Sequence, residues 1–319
     1  MPINKQQWMA LFLILLLGFS GSIYLCRAFL ESGKKAWLSE AEQAARWLSD
    51  TAFSWLEDSY TPLSTLVVLF ENSEEVTETE FLNAFDGLES RTTALYVDAA
   101  AYVRYLPLQE GWQVIYTTDQ NGMLAKGSDL TRMPEIATTL KTALHRTGRM
   151  ELGPVFENSD GATVAAVALA PSYSDNNHIL LGIINFDDLF AGLQAVHIPP
   201  GIDIGMQAKF LGSTGTDTIR TASQSGALHT FTNRTISAGA DLSTITVVNE
   251  RFIGGPSTYL AYFALFSGTG GTLIITLFIA FLMRTNLLVK ARVHQATEEL
   301  YDAKIAAETA NRAKSIFLA

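Results

Sequence analysis

The chain has 319 residues, of which 48% are hydrophobic, and a formal net charge of −10 at neutral pH. The excess of 32 acidic over 22 basic residues makes nucleic acid a poor partner, because phosphates require a basic face. The single cysteine excludes a fold held by intrachain disulfide bonds.

An uncharged apolar run near the N-terminus, residues 6–26, is long enough to cross a hydrocarbon core of roughly 30 Å. We predict a cytoplasmic N-terminus over residues 1–7 and a first membrane helix over residues 8–28. The alternative is a cleaved signal peptide, with Ser20 and Ser22 near the cleavage site. Apolar residues continue past Ser22, which favours a retained helix.

The segment between the two apolar runs, residues 29–258, begins with a helical pattern that predicts a stalk over about residues 30–70. Helical spacing of the tryptophans indicates packing in a core or a dimer seam and not a ligand site. Pro62 is expected to kink or interrupt the stalk. The apolar positions of the stripe are Trp37, Ala41, Ala44, Leu48 and Trp55.

A first strand-rich subdomain is predicted over about residues 77–186. It begins with a helix over residues 78–89 and contains five strands rich in β-branched and aromatic residues. A second helix, over residues 131–145, is expected to have Thr131 as its N-cap and Gly148 just past its end. Strands around one or two helices predict an antiparallel, PAS-like sheet of the α+β class.

A smaller subdomain over about residues 195–250 follows a short joining helix at residues 187–194. It shows four strand patterns and no long helix. The predicted fold is therefore an α+β membrane protein. A long stalk helix and two PAS-like antiparallel-sheet subdomains are flanked by two transmembrane helices and a C-terminal coiled coil.

A second uncharged run, residues 259–283, predicts the second membrane helix. Basic residues follow it, which places the C-terminus in the cytoplasm. Two spans then put the N-terminus inside and residues 29–258 outside. The loop counted from Arg27 to Thr258 carries 28 acidic and 15 basic residues, which gives 28 − 15, or 13, net negative charges. We predict a multi-pass protein of the cell membrane, the inner membrane in a Gram-negative cell, in contact with the lipid bilayer.

The last segment, residues 284–319, has apolar residues on alternate steps of three and four without Pro or Gly, which predicts a parallel two-stranded coiled coil and hence a homodimer. Because many seam positions are alanine, the dimer should be marginal. A single solvent-exposed helix is the alternative. The seam consists of Asn286, Val289, Val293, Ala296, Leu300, Ala303, Ala307, Ala310, Lys314 and Phe317.

The final run, NRAKSIFLA at residues 311–319, resembles the start of the dimerisation and phosphoacceptor helix of sensor histidine kinases. The resemblance implies a kinase core beyond Ala319, which would use ATP and Mg²⁺ and would pass phosphate to a response regulator or receiver domain. No cofactor is expected in these 319 residues, and no phosphoacceptor histidine is present, because His294 lacks the motif. The same type of coil also precedes nucleotide cyclases.

The order of patterns between residues 37 and 249 resembles a CHASE sensor domain. The stalk is followed by VTETEF, a GSD loop, a helix ending in HRTGR, then LGPVF and VALAPSY. The resemblance implies a small-molecule ligand outside the membrane. It assigns an acidic ligand-binding residue to Asp129 and a main-chain contact to Leu152. Looser candidates for the same pocket are Tyr96, Arg104, Tyr116 and Thr163.

Two alternatives qualify this site. Asp129 has an equally good structural explanation, in which it caps the adjacent loop. The lengths around residues 121–126 and 157–162 depart from the plant receptors of the family, so a cytokinin ligand does not follow. A buried carboxylate would orient a ligand while apolar walls supply affinity.

The sequence gives no positive case for catalysis, and the five histidines lack metal-ligand spacing. Small residues in SGTGG, at residues 267–271, fit either close helix approach or local flexibility. We therefore predict the sensor portion of a two-component histidine kinase. A cyclase sensor and a non-enzymatic, membrane-tethered binding protein are the alternatives.

Overall fold

The computed structural model describes residues 5–73, 76–89, 97–108, 110–172, 177–196, 198–211, 213 and 215–318, without the side chains of 89 and 312–318. It divides into two compact units. One comprises the residues up to Ala36 together with those from Pro256 onward, and the other is Trp37–Gly255.

The first unit is built from two apolar helices that are long enough to cross a membrane. They belong to helix α1, Lys5–Asn72, and helix α5, Tyr259–Leu318. The helices run antiparallel, because Gly18 lies against Thr272 while Ser22 lies against Gly268. At Gly268 a β-carbon would collide with the Ser22 hydroxyl, so of the two explanations for the SGTGG glycines, close helix approach holds at this position.

Helix α1 continues through Pro62 to Asn72, so the predicted interruption at this proline is wrong. A helical proline removes one backbone hydrogen bond. Burial of the helix before and after Pro62 offsets this loss, because Leu56 and Leu63 are fully buried in the second unit. The helix also buries Ala41, Ala45 and Ala52 completely. Because these side chains are small, the sheets can approach the helix closely.

The first sheet has five strands in the order β2-β1-β5-β4-β3, and every pairing is antiparallel. This confirms the predicted antiparallel sheet. Helix α2, Glu78–Glu89, has the predicted bounds, and helix α3 is Pro134–His145. The strands are β1 Val97–Leu106, β2 Gly111–Thr117, β3 Met150–Glu157, β4 Thr163–Leu169 and β5 His178–Asn185.

Both faces of this sheet are buried, which explains the nearly continuous apolar sequence of β4. Ala165 and Val167 belong to the core that contains α1 and α2. Their neighbours Ala166 and Ala168 belong to the core that contains α3. Alternate residues of a strand point to opposite faces, so one strand serves two cores.

The second sheet has four antiparallel strands in the order β7-β6-β9-β8. Helix α4, Phe186–Ala195, precedes it and is capped by Asn185, whose side chain accepts hydrogen bonds from the backbone N–H groups of Asp187 and Asp188. The strands are β6 Ile202–Lys209, β7 Asp217–Arg220, β8 Ala227–Ser237 and β9 Ala240–Asn249.

The start of α3 differs from the prediction. Thr131 does not cap the helix but lies in a 3-10 turn, Leu130–Arg132, which is capped by Asp129. Helix α3 then begins at Pro134 with Met133 as an N-cap that makes no side-chain hydrogen bond. Proline is favoured in the first turn, where its missing N–H would have no partner, and it sets this boundary.

Candidate functional site

A cavity of about 630 Å³ lies beside the first turn of α3, where this turn meets the β3–β4 hairpin and the loop after β2. Its size is within the range of pockets that hold small molecules. We call it the α3 cavity. Its lining residues are Asn121, Gly122, Met123, Arg132, Met133, Pro134, Glu135, Phe156, Glu157, Asn158 and Ser159.

The floor of the α3 cavity is apolar. Met123, Met133 and Phe156 are partly buried and pack against the core between α3 and the first sheet. Flexible methionine side chains adapt to ligands of different shapes. The floor can therefore supply apolar contact area to a bound molecule.

The rim of the α3 cavity carries charges of both signs. Arg132 ends the 3-10 turn, Glu135 lies in the first turn of α3, and Glu157 ends β3. The Arg132 side chain is 88% exposed, so its guanidinium is accessible to a ligand. Such a rim can orient a molecule that carries an anionic group, a cationic group or both.

Two short loops hold the polar side of the cavity in place. The Asp119 carboxylate accepts a hydrogen bond from the backbone N–H of Leu124 (3.1 Å), and Leu124 is fully buried. The Asn158 side chain accepts from the N–H groups of Asp160 and Ala162, both at 2.9 Å. Each loop is thus fixed from within by one polar side chain.

Asp129 lies next to this cavity but does not line it. Its carboxylate accepts the N–H of Thr131 at 3.0 Å and lies 3.9 Å from Arg132. Hydrogen bonds from Thr131, assisted by the Arg132 charge, hold the pKa of Asp129 below its usual value. The carboxylate therefore caps the turn that presents Arg132 to the cavity.

Leu152 lies in β3 and is buried in the core that contains α1. Its backbone N–H donates to the carbonyl of Ala238, in the turn between β8 and β9, at 2.7 Å. This main-chain donor is therefore engaged by the second sheet of the same unit.

Arg104 and Tyr116 lie together, on the sheet face opposite the α3 cavity. Tyr116 and Tyr102 stack with ring centroids 5.8 Å apart and pack against the core that contains α1. The Arg104 guanidinium donates to the imidazole of His178 at 2.9 Å, and this ring stacks on Tyr102. Burial raises the pKa of Tyr102 to about 12, so its phenol stays neutral.

Thr163 begins β4, and its N–H donates to the Asp187 carboxylate at 3.0 Å. Nearby, Asn185 donates to both Asp98 and Asp188 at 2.9 Å, and burial raises the pKa of Asp98. In the described part of the chain, no group of three or more His, Cys, Asp or Glu side chains could hold a metal ion. Tyr96 lies outside the described residues.

The described candidates are thus distributed over the first sheet and do not line a common pocket. Sequence reasoning missed the charged residues that do line one, namely Arg132, Glu135 and Glu157. The sequence did contain a signal for this cavity. The segments at residues 121–126 and 157–162 differ in length from those of the plant receptors, and both contribute lining residues to the cavity.

No family model matches this chain, and no curated protein matches it. Among solved structures, it is similar to the ligand-binding domain of the Pseudomonas aeruginosa PAO1 amino acid chemoreceptor PctC in complex with GABA. The identity is 11% and the TM-score 0.42, over 65% of this chain and 99% of that one. An extracellular ligand-binding receptor from Desulfohalobium retbaense has 11% identity and a TM-score of 0.45, over 65% and 40%.

The sensor domain of the V. cholerae histidine kinase DctB is also similar, with 7% identity and a TM-score of 0.36, over 66% of this chain and 97% of that one. Identities this low and TM-scores below 0.5 establish neither a family nor a ligand for this chain.

Proposed function

We propose that this chain is the sensor portion of a membrane-bound two-component histidine kinase, with residues 29–258 outside the membrane and both termini in the cytoplasm. A small molecule binds the outer domain, and the second membrane helix transmits the signal to a kinase core. The core uses ATP and Mg²⁺ and acts on a response regulator or receiver domain.

The observation that carries this proposal is the single helix α5, which has an apolar half and a charged half. Tyr259–Leu318 is helical throughout, from the apolar span past Arg284 into the charged segment. In the second half, Val289, Val293 and Leu300 are at least half exposed. Exposed apolar residues at heptad spacing are the expected seam of a parallel coiled coil with a second copy.

The α3 cavity is the proposed ligand site. It combines an apolar floor with a rim of mixed charge, a combination typical of small-molecule sites. Asp129 then acts indirectly, by capping the turn that carries Arg132. The six residues that the CHASE resemblance implies are therefore secondary candidates to Arg132, Glu135 and Glu157.

A screen for ligands tests the sensor function. The full chain in lipid nanodiscs is heated with adenine derivatives, amino acids, short peptides and organic acids, and the unfolding temperature is measured. A molecule that binds the α3 cavity should raise it, and R132Q or E157Q should reduce this shift. K141Q, an exposed charge change outside the lining, is the matched control. A shift that survives both lining variants would place the ligand elsewhere.

The kinase function needs a separate test. A chimaera joins residues 1–319, with the seam of α5 kept in register, to the core of a histidine kinase of known activity. Autophosphorylation by ATP and Mg²⁺ should change when a ligand from the screen is added. A chimaera whose autophosphorylation ignores every ligand that binds would contradict the proposal. A nucleotide cyclase domain encoded after Ala319 would favour the cyclase alternative.

A further inference from the structure

Four strands form the edges of the two sheets, and three of these edges are covered, bulged or short. The edge of β2 is covered by the loop that follows it, because the carbonyl of Val114 accepts the N–H of Gly127 at 2.9 Å. Strand β3 is bulged, and the N–H of Leu152 on its edge donates to Ala238. Strand β7 has only four residues. Each of these features protects an edge from pairing with another chain.

Strand β8 is the fourth edge, and it lacks these protections. It has eleven residues and contains no proline. Its pairing with β9 is regular from His229 to Ser237. In the described part of the chain, no other element forms a backbone hydrogen bond with this stretch of β8. A long and regular edge of this kind can accept an additional strand.

The turn that joins β8 to β9 fixes which main-chain groups of β8 are free. Ala238 and Gly239 have φ values of 46° and 74°, as in the type I′ turn of a two-residue hairpin. The residues that flank this turn form a hydrogen-bonded pair, and such pairs alternate with non-bonded pairs along the ladder. The non-bonded residues direct both their N–H and C=O groups to the free edge. They are Thr230, Thr232, Arg234 and Ile236.

Helix α1 runs along β8 in the same direction. The Ser49 hydroxyl lies 2.6 Å from that of Thr244, which is paired with Asn233, and the Tyr60 hydroxyl lies 3.0 Å from that of Ser237. A cavity of about 440 Å³ lies between the two elements. Among the described residues, none of β9 lines it, so it opens on the free side of β8. We call it the β8 groove. Its lining residues are Arg46, Asp50, Phe53, Ser54, Glu57, Asn233, Arg234 and Thr235.

The helix side of the β8 groove is acidic around an apolar centre. Neither Asp50 nor Glu57 forms an ion pair among the described residues. Phe53 lies between them on the same side of α1 and is partly buried. Arg46 is neutralised by Glu42 at 2.6 Å. The groove therefore presents two carboxylates on either side of an aromatic ring.

The spacing of these carboxylates matches an extended chain. Asp50 and Glu57 are two helical turns apart, or about 10 Å along α1. Residues i and i+4 of a strand lie on one face about 13 Å apart, and long basic side chains can span the difference. The complementary segment therefore has the pattern basic–x–apolar–x–basic. The Arg234 side chain does not oppose it, because it alternates with Asn233 and faces away from α1.

A second copy of this chain does not fit the edge. Two edge strands related by a two-fold axis pair antiparallel. Because α1 follows the direction of β8, such pairing would make the α1 helices of the two copies run in opposite directions. Helix α1 carries a membrane-length apolar run, so two copies in one membrane need parallel α1 helices.

We propose that β8 binds an extended segment of another protein as an additional strand. The main chain of the segment pairs with the free groups of Thr232 and Arg234. Its two basic side chains bind Asp50 and Glu57, and its apolar side chain packs on Phe53. This surface is separate from the α3 cavity and shares no lining residue with it.

The probe for this surface is the acetylated and amidated peptide TKTVTKT with a fluorescent label. It is titrated into the full chain in nanodiscs, and its anisotropy is measured. The peptide should bind saturably. The acidic peptide TETVTET should bind at least tenfold more weakly, because its charges repel the two carboxylates. A backbone N-methylated TKTVTKT lacks the N–H donors of a strand and should also bind at least tenfold more weakly.

Variants of the protein test the edge and the charges separately. T232P removes an N–H that faces away from β9, and proline is tolerated at such edge positions, so the unfolding temperature should be retained. Binding of TKTVTKT should weaken at least tenfold. D50N and E57Q should each weaken it severalfold, and they do not alter the strand. D58N is the matched control, because Asp58 is exposed on α1 outside the groove, and it should leave binding unchanged.

Three outcomes would overturn the proposal. The first is the absence of saturable binding by TKTVTKT. The second is equal binding of the acidic or the N-methylated peptide, or binding that D50N, E57Q and T232P leave unchanged. The third is a wild-type dimer that becomes monomeric in T232P by mass photometry, which would assign the edge of β8 to a second copy.

Discussion

The indole N–H of Trp37 donates to the backbone carbonyl of Phe252 at 2.9 Å, across 215 positions of the chain. The two rings also meet edge to face, with centroids 6.2 Å apart. This contact joins the first and the last turns of the unit Trp37–Gly255. It closes the folded domain at the two points where the chain enters and leaves it.

Replacing Trp37 by phenylalanine should weaken this closure without removing the aromatic contact. The Phe252 carbonyl also accepts the N–H of Gly255 at 3.0 Å, so it keeps one partner. We expect a loss of about 1 to 2 kcal/mol in the free energy of unfolding, measured by denaturant titration. W47F is the control, because Trp47 is 49% exposed, and it should change little. Equal effects of the two variants would contradict the role of the hydrogen bond.

The elements that the sequence predicted well are those whose pattern is local. The strand β4 and the helix α2 follow from side-chain period and composition. The continuity of α1 through Pro62 could not be predicted, because it depends on burial of Leu56 and Leu63 against distant strands. A local rule for proline is overridden there by tertiary packing.

The candidate sites were harder to predict for a related reason. Glu135 and Glu157 line one cavity although they lie in different elements, and only the packing of α3 on the sheet brings them together. Asp129 was found by resemblance, and its capping alternative matches its position in the structure.

Substitutions of Asp129 and of Arg132 should have different effects on the affinity for a ligand. D129N keeps an oxygen that can accept the Thr131 N–H, so the turn and the unfolding temperature should be retained, whereas D129A should lower the temperature. For a ligand found in the screen, D129N should leave the affinity within about twofold, and R132Q should weaken it about tenfold. Calorimetric titration measures both affinities. A large loss in D129N with an unchanged unfolding temperature would instead make Asp129 a direct ligand contact.

Glu151 should give the stability of the domain a defined pH dependence. Burial raises the pKa of its carboxyl above the usual 4.5, while Arg146 and, more weakly, Arg149 oppose the rise. The folded state therefore holds this proton more tightly than the unfolded state. The stability that this provides is complete below the usual pKa and is lost as the pH rises through the raised one.

The variant E151Q tests this dependence, because glutamine does not titrate and has a similar volume. The free energy of unfolding of the wild type, minus that of E151Q, should decrease between about pH 4 and about pH 7. Denaturant titrations at both ends of this range measure the difference. An increase with pH would mean that the Arg146 charge outweighs burial and that the pKa is lowered.

The close packing of the two apolar helices should depend on Gly268 and not on Gly270. A β-carbon at Gly268 would collide with the Ser22 hydroxyl, whereas at Gly270 it would meet open space. We expect G268I to separate the helices and G270I to leave them paired. Spin labels on cysteines that replace the exposed Leu13 and Leu277, in a C26S background, report the separation of the two helices in membranes. The separation should increase only in G268I, and an equal separation in both variants would exclude this packing.

The alanines of the α5 seam should set how easily the coil changes state. Replacing Ala296, Ala303 and Ala310 by leucine adds apolar area at three d positions, worth about 2 kcal/mol for each side chain that becomes buried in a dimer. A change of this size exceeds the coupling of about 1 to 3 kcal/mol that a ligand typically supplies, so the coil should be held in one state. In the kinase chimaera, autophosphorylation should then become constant and independent of ligand.

Three leucines outside the seam, at Ala291, Glu298 and Asp302, are the control for this change, because these positions are exposed and lie away from the heptad core. The control chimaera should keep its response to ligand, since added leucines on the outer face do not stabilise the seam. If autophosphorylation of the seam variant still responds to ligand as it does in the control, the signal does not pass through a change in the coil. The continuous helix α5 would then serve as a tether for the output domain, and the signal would need another route.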